Sequence, residues 1–284
     1  MLTAEQIIKK FNDTKTLPHV AIRVSQLAGN ENSTMKDFED VIKLDPVLVT
    51  RLLRLVNSPY FGLTTRVESI AKAVVFVGMK NLRNLVAVEA IRDLYKDDGT
   101  SGDFSRRALW LHSATVAILS GMIGKRIFGN GSEELFLAGI LHDIGLIVID
   151  QVQGEPLRKA FTTYRTGTRP LLDLEREIVG ADHCDVGYKL AKEWKMPEEV
   201  LKAVKNHHLH DEEGRIQPNS VTGIVQLAEY IAGKMKYGMI PDRAEPLPGH
   251  LVKHVKNLMN DYKVIVRDLP GEMEKAKQLY DPED

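Results

Sequence analysis

At 284 residues the chain is long enough for one large domain or two smaller ones, with a real hydrophobic core. Hydrophobic residues make up 43% and charged residues 27%, as in ordinary globular proteins, and a net charge of −1 at pH 7 excludes the broad basic surplus of a general nucleic-acid binder. The single cysteine, Cys184, excludes an intramolecular disulfide and fits a reducing compartment. The start "MLTAEQIIKKFND" lacks a signal-peptide pattern, and no apolar run is read as reaching the roughly 18–20 residues of a membrane span. The expectation is a cytoplasmic protein without membrane association.

In chain order, almost every segment reads as helix. Thr3 and Gln6 form a capping-box pattern for a first helix. Pro18 opens "PHVAIRVSQLAG", with Val20, Val24 and Leu27 on one face. Ser33 or Thr34 can start "TMKDFEDVIKL", with Phe38, Val41 and Ile42 as its apolar side, and Asp45-Pro46 is a cap followed by a first-turn proline for "PVLVTRLLRLVN". "NSPYFGL" then interrupts the chain, either as an apolar partner surface or, the favoured reading, as an internal helix–helix connection with Tyr60 and Phe61 packed inward. "SIAKAVVFVG" and "MKNLRNLVAVEAIRDLY" follow. The polar linker "KDDGTSGD" (96–103) marks a subdomain boundary.

Beyond the linker lie the apolar helical stretches that contain "LWLHSATVA", "AGILHDIGLIVID", "GADHCDVGYKLA", "VKNHH" and "IVQLAEYIAG". A terminal amphipathic region ends the chain. "KVIVRDL" (263–269) is the best strand candidate, but it stands alone, without a partner strand. The division expected is an N-terminal helical subdomain over 1–98, a helical core over 99–238 and a helical extension over 239–284.

The chemistry sits in a handful of residues inside these apolar stretches. They are His112, His142, Asp143, His183, His207, His208 and Glu229. A buried carboxylate is costly unless it is paired, hydrogen-bonded or metal-bound. On facing helices of a bundle such groups can converge on one centre. Imidazole and carboxylate together suit zinc, iron, manganese or nickel, and an aspartate can bridge two ions. Neighbours on a helix diverge by about 100°. His142 and Asp143, and likewise His207 and His208, therefore reach one centre only if it lies between their directions or the helix distorts. The alternative is a hydrogen-bonded polar core without metal. Cys184 has no second thiol beside it and reads as a buried residue, and Trp110 and Trp194 read as core filling.

"LHSATVA", "AGILHDIGLIVI" and "GADHCDVGYKLAKEWKMPEEVLKAVKNHH" resemble the HD superfamily of metal-dependent phosphohydrolases. "LDPVLVTRLLRLVNSPYFG" and "SIAKAVVFVGMKNLRNLVAVEAI" narrow the resemblance to its HDOD branch, the HD-related output domains of bacterial signalling. The resemblance runs from about Leu17 to about Lys236. It implies an all-α fold, a helical bundle with an HD-like core preceded by an N-terminal helical subdomain, and a signalling role without demonstrated hydrolysis.

By resemblance to the two-metal HD-GYP enzymes, His112, His142, Asp143, His183, His207 and His208 stand where those enzymes have ligands. Glu229 stands where they have aspartate. Two departures bear on activity. Leu146 replaces the lysine that follows the His-Asp pair, removing a cation for phosphate. "HHLHDEEGRIQPN" lacks the GYP signature.

Two functions follow. One is a signalling module that contacts a protein partner, with one or two divalent transition ions and no organic cofactor. The other is a metal-dependent phosphohydrolase acting on a nucleotide or cyclic dinucleotide. In the second, His112, His142, Asp143 and Glu229 would hold one ion, and Asp143, His183, His207 and His208 the other. Lys189, Lys192, Arg106 and Arg107 are the sequence-near candidates for holding phosphate.

Overall fold

The computed structural model describes residues 1–14, 23, 27, 33–57, 61–96, 104–211, 213–240 and 246–276. Every regular element among these is helical. The chain forms two compact units. The first comprises residues 1–15 and 95–269, the second residues 16–94 and 270–284. Most of "PHVAIRVSQLAG", Tyr60 and most of the linker 96–103 lie outside the described residues.

In the second unit, α2 (Met35–Ile42) starts at Thr34, whose hydroxyl accepts from the Asp37 amide while Asp37 reaches back, a complete capping box. Asp45 Oδ1 accepts from the amides of Val47 and Leu48, and Pro46 takes the first turn of α3 (Pro46–Val56). Asn57 closes the following loop by exchanging two 2.7 Å hydrogen bonds with the backbone of Val67. Phe61 is half-buried. Helices α4 (Ile70–Val77) and α5 (Met79–Arg92) complete the described part, with Phe38, Ile42, Leu52, Leu55, Ile70 and Val74 buried.

The first unit holds the polar cluster. Helix α1 (Ala4–Thr14) carries the Thr3–Gln6 capping box and buries Ile7, Ile8 and Phe11. It packs on α8 (Ile144–Thr166) and α10 (His183–Glu193). Helix α6 (Arg106–Ile127) is buried along nearly its whole middle. It lies between α7 (Glu133–Leu141) and α12 (Val221–Lys234). A helix buried on all faces carries no solvated stripe, which is why its sequence shows little amphipathic pattern. Helices α9 (Leu171–Ile178) and α11 (Glu198–Asn206) pack on α8 and on α10 respectively, and α13 (Gly249–Asn257) follows.

Two expectations change. "KVIVRDL" is helical, part of α14 (Met259–Lys275). Its neighbourhood buries Tyr262, Ile265, Leu269 and Met273, a helical spacing, while Val264 is exposed. The stretch Glu134–Thr166 is by length and composition apolar enough to cross a bilayer, and 83% of its apolar window is buried within the protein. It is a core element interrupted twice, at His142-Asp143 and at Gln153, where φ −141° and ψ 52° leave the helical region. Pro156, three residues on, lacks the amide that would bond back to residue 152 and clashes with that carbonyl.

Candidate metal centre

His142 and Asp143 do not share one helix. His142 caps the C-terminus of α7, and Asp143 (φ −99°, ψ 13°) precedes the first residue of α8. This break frees two adjacent side chains from the 100° divergence of a continuous helix. His207 and His208 use the same device, in the turn after α11. His183 is the first residue of α10, behind the Asp182 cap. Two glycines allow the close crossings. A Cβ on Gly139 would overlap the Cα of Ala117, on α6, and one on Gly145 would run into the carbonyl of His183.

All seven residues singled out in the sequence meet in one place. They form two donor groups, Asp143 with His183, His207 and His208, and His112 with His142 and Glu229. Asp143 lies between them. Its Oδ2 faces the Nε2 atoms of His142 and His112, at 3.2 and 3.6 Å. Its Oδ1 faces those of His183 and His207, each at 3.4 Å. Glu229 Oε1 is 3.7 Å from His208 Nε2. His142, Asp143, His183 and His207 are buried, and His208 and Glu229 retain slight exposure.

The outer edges of the rings decide what the inner edges are. His112 Nδ1 lies 2.9 Å from the Tyr237 carbonyl, His142 Nδ1 2.8 Å from that of Gly139, and His207 Nδ1 2.9 Å from that of Val204. His183 Nδ1 is 2.8 Å from a carboxylate oxygen of Glu175. Carbonyl and carboxylate oxygens only accept, so each Nδ1 carries the proton and each neutral ring turns its Nε2 lone pair inward. These lone pairs crowd together. His112 and His142 approach to 3.3 Å between Nε2 atoms, as do His183 and His207. Asp143 Oδ1 is buried and accepts no hydrogen bond.

Without an ion the same crowding distorts the titrations. Burial, and then the His142 ring, hold His112 down at about 4. Burial and the His207 ring likewise depress His208. Burial works against the protonated forms of His183 and His207 too, but Glu175 and Cys184 beside His183, and Cys184 and Asp143 beside His207, raise both well above the usual value. Asp143 is held ionised despite its burial, chiefly by His142. Burial would push the Cys184 thiol up; His207, with Sγ 3.9 Å from its Nε2, and His183 bring it down to about 7. Cys184 stands outside both donor groups.

The cluster opens on a cleft with about 60 Å³ of solvent space, room for a few waters. His112, Asp143, His183, His208 and Glu229 supply the polar part of its lining. Leu146, Phe161, Leu171, Met239 and Ile240 supply most of the apolar part, beside Tyr164. Among the described residues, no lysine or arginine lines it. The four cations considered for phosphate are engaged elsewhere or face solvent. Arg106 Nε pairs with buried Asp150 at 2.6 Å, and Lys189 pairs with Glu5. Lys192 lies over the Tyr188 ring, and Arg107 is exposed. Trp110 and Trp194 are buried, Trp110 with its ring centroid 4.9 Å from that of Tyr95.

Sequence reasoning missed Glu175. It sits in "LLDLEREI" among charged neighbours and looks like part of a solvated face, yet it is fully buried against His183. The backbone acceptors at Gly139, Val204 and Tyr237 carry no side-chain signal at all.

Comparison with known proteins agrees with this geometry. The HDOD domain matches residues 15–210. An uncharacterized protein of Treponema pallidum (strain Nichols) is 29% identical over 210 residues, 72% of this chain and 39% of that protein, so the chain spans well under half of that relative. A crystal structure of an HDOD domain protein of unknown function from Geobacter sulfurreducens superposes with TM-score 0.73 at 22% identity, covering 99% of this chain and 97% of that one. A candidate phosphohydrolase from Shewanella amazonensis SB2B gives TM-score 0.71 at 27% identity, covering 96% and 97%. The order of acids and histidines, the all-helical architecture and the family match agree, and the chain belongs to the HDOD domain family.

Proposed function

We propose that the chain is a regulatory HDOD module whose histidine–carboxylate cluster holds one or two divalent transition ions, and that it acts by contact with a signalling protein rather than by hydrolysis. One observation carries the metal reading: four buried imidazoles spend Nδ1 on fixed acceptors and turn Nε2 toward both oxygens of Asp143. When bound, an ion there supplies Lewis acidity. The protein's own residues orient the donors and keep bulk water out.

The apolar lining of the cleft supports a non-hydrolytic role. Phosphoryl transfer needs positive groups on the non-bridging oxygens. Leu146 stands where such a cation would serve, and the few-water cleft has no room for a nucleotide without opening. The test is metal content by mass spectrometry on tag-free protein, alongside assays on a nucleotide phosphodiester and cyclic dinucleotides with Mn²⁺, Fe²⁺ or Ni²⁺. One or two equivalents of metal with no turnover is the expected result.

The second reading is a metal-dependent phosphohydrolase, favoured by the bridging position of Asp143. Turnover that is lost in Asp143→Ala establishes it. Metal content at background in the wild type sinks both readings and leaves a polar core.

A further inference from the structure

Glu175 is the fully buried carboxylate that neither reading uses. It lies on α9, and its side chain is hydrogen-bonded to His183. Its Oε2 accepts from the His183 amide at 2.9 Å and from the His183 Nδ1 at 2.8 Å. Its Oε1 accepts nothing. The rings of His112, His142 and His207 are backed by neutral carbonyls. Among these four rings, His183 alone is backed by an anion.

That asymmetry has an electrostatic consequence. A carboxylate behind an imidazole fixes the ring's tautomer and orientation and makes its far nitrogen a stronger donor. The carboxylate gains in return. A buried anion needs a compensating charge, and a cation on Nε2 supplies one through the ring. The double grip on amide and ring also fixes the χ angles of His183, so Nε2 is aimed before any ion arrives. The donors nearest to this effect are Asp143, His183, His207 and His208; His112, His142 and Glu229 form the other group.

We infer that Glu175 is a positioning residue for one of two inequivalent cation positions: it strengthens binding on the His183 side and leaves the His112 side unaffected. The inference rests on the metal reading above. It concerns a residue that touches no ion itself and acts through His183.

The experiment titrates metal-free full-length chain with Co²⁺, reading binding by calorimetry and coordination by visible absorption. Two backgrounds isolate the sides: His112→Ala keeps the His183 side, and His207→Ala keeps the His112 side. Glu175→Gln preserves the volume and an acceptor but removes the charge. Added to His112→Ala, it weakens the remaining equivalent by about 10–100-fold, the usual cost of losing an outer hydrogen-bond partner. Added to His207→Ala, it changes the remaining equivalent by less than about twofold. Glu175→Ala has the larger effect in the first background and the same null effect in the second. Equal weakening in both backgrounds, with a matching drop in the metal-free melting temperature, marks a merely structural role and overturns the inference. Unchanged affinity in the His112→Ala background overturns it too, leaving the metal reading intact. A wild type that binds no Co²⁺ removes the metal reading itself, and this inference with it.

Discussion

The polar and the apolar parts of the cleft lining make a sharp contrast. One is built from His112, Asp143, His183, His208 and Glu229, the other chiefly from Leu146, Phe161, Leu171, Met239 and Ile240. The first presents five of the seven donors, with His142 and His207 completing the two groups beside them and Asp143 between the groups. The second, among the described residues, offers a phosphate no lysine or arginine, only the phenol of Tyr164. Ligand chemistry and substrate chemistry are therefore separable in this fold. A cluster of converging ring nitrogens is maintained by packing, backbone carbonyls and Glu175, whatever the apolar lining has become.

The contrast is most easily broken at its centre. In Asp143→Ala both groups lose the shared carboxylate, and the facing imidazoles have no anion between them. Metal content is expected to fall from one or two equivalents to background, and the loaded protein to lose about 3–5 kcal/mol, the range for removing one partner of a buried charged set. Mass spectrometry and thermal melts check this. A variant that keeps its metal would show that Asp143 is no bridge.

Leu146→Lys attacks the apolar lining. Leu146 is 2% exposed, so an ammonium there is desolvated among apolar neighbours. Destabilisation by about 2–3 kcal/mol is expected, with no gain of phosphodiesterase activity. Turnover appearing in this variant would mean that a single cation was all the apolar lining lacked.

The pH dependence sharpens the metal side. In the absence of an ion, His183 and His207 have pKa values raised well above the usual one, so protons compete for their Nε2 atoms to higher pH than at an ordinary histidine. A folded-state pKa above the unfolded value adds stability below the unfolded value, about 6.5, and loses it as pH rises through the folded one. The metal-free protein thus forfeits that contribution in alkali, while metal binding releases protons and strengthens. The gap in melting temperature between loaded and stripped protein is expected to widen as pH rises from roughly 6 to 8. A constant gap would count against histidine ligation.

The smallest effect belongs to Glu229→Asp. Shortening the side chain by one methylene shifts a carboxylate already 3.7 Å from His208 Nε2. Co²⁺ affinity is expected to change by less than about tenfold, the lower edge of what an outer partner contributes. A larger loss would place Glu229 among the dominant donors.

Much of this was legible in the sequence, because its signals are local. Thr34 and Asp45 announce helix starts through side-chain oxygens two or three residues from the amides they accept from. The order of His112, His142-Asp143, His183, His207-His208 and Glu229 is visible because polar groups stand out in apolar helices. What stayed hidden depends on long-range burial. Glu175 has the same composition around it as a surface residue, and only the packing of α9 on α8 encloses it. Arg106 reads as a free cation until Asp150, 44 residues away, is seen beneath it. "KVIVRDL" reads as a strand because β-branched residues are frequent there, whereas the buried set around it repeats at helical spacing.

The position of the donors at helix ends has a mechanical consequence. His142 and Asp143 lie in the joint between α7 and α8, His183 at the head of α10, and His207 and His208 in the turn after α11. An ion on these nitrogens is a multi-way staple, fastening points that are 30 and 24 residues apart along the chain. Each fastening removes loop freedom from the unfolded ensemble, as a disulfide does, in a chain whose single cysteine permits none. Unlike a disulfide, the staple follows free metal concentration, and its stabilisation grows with the logarithm of that concentration. In the proposed regulatory role, rigidity across these helix ends would then follow the supply of an ion, a state that a partner could read.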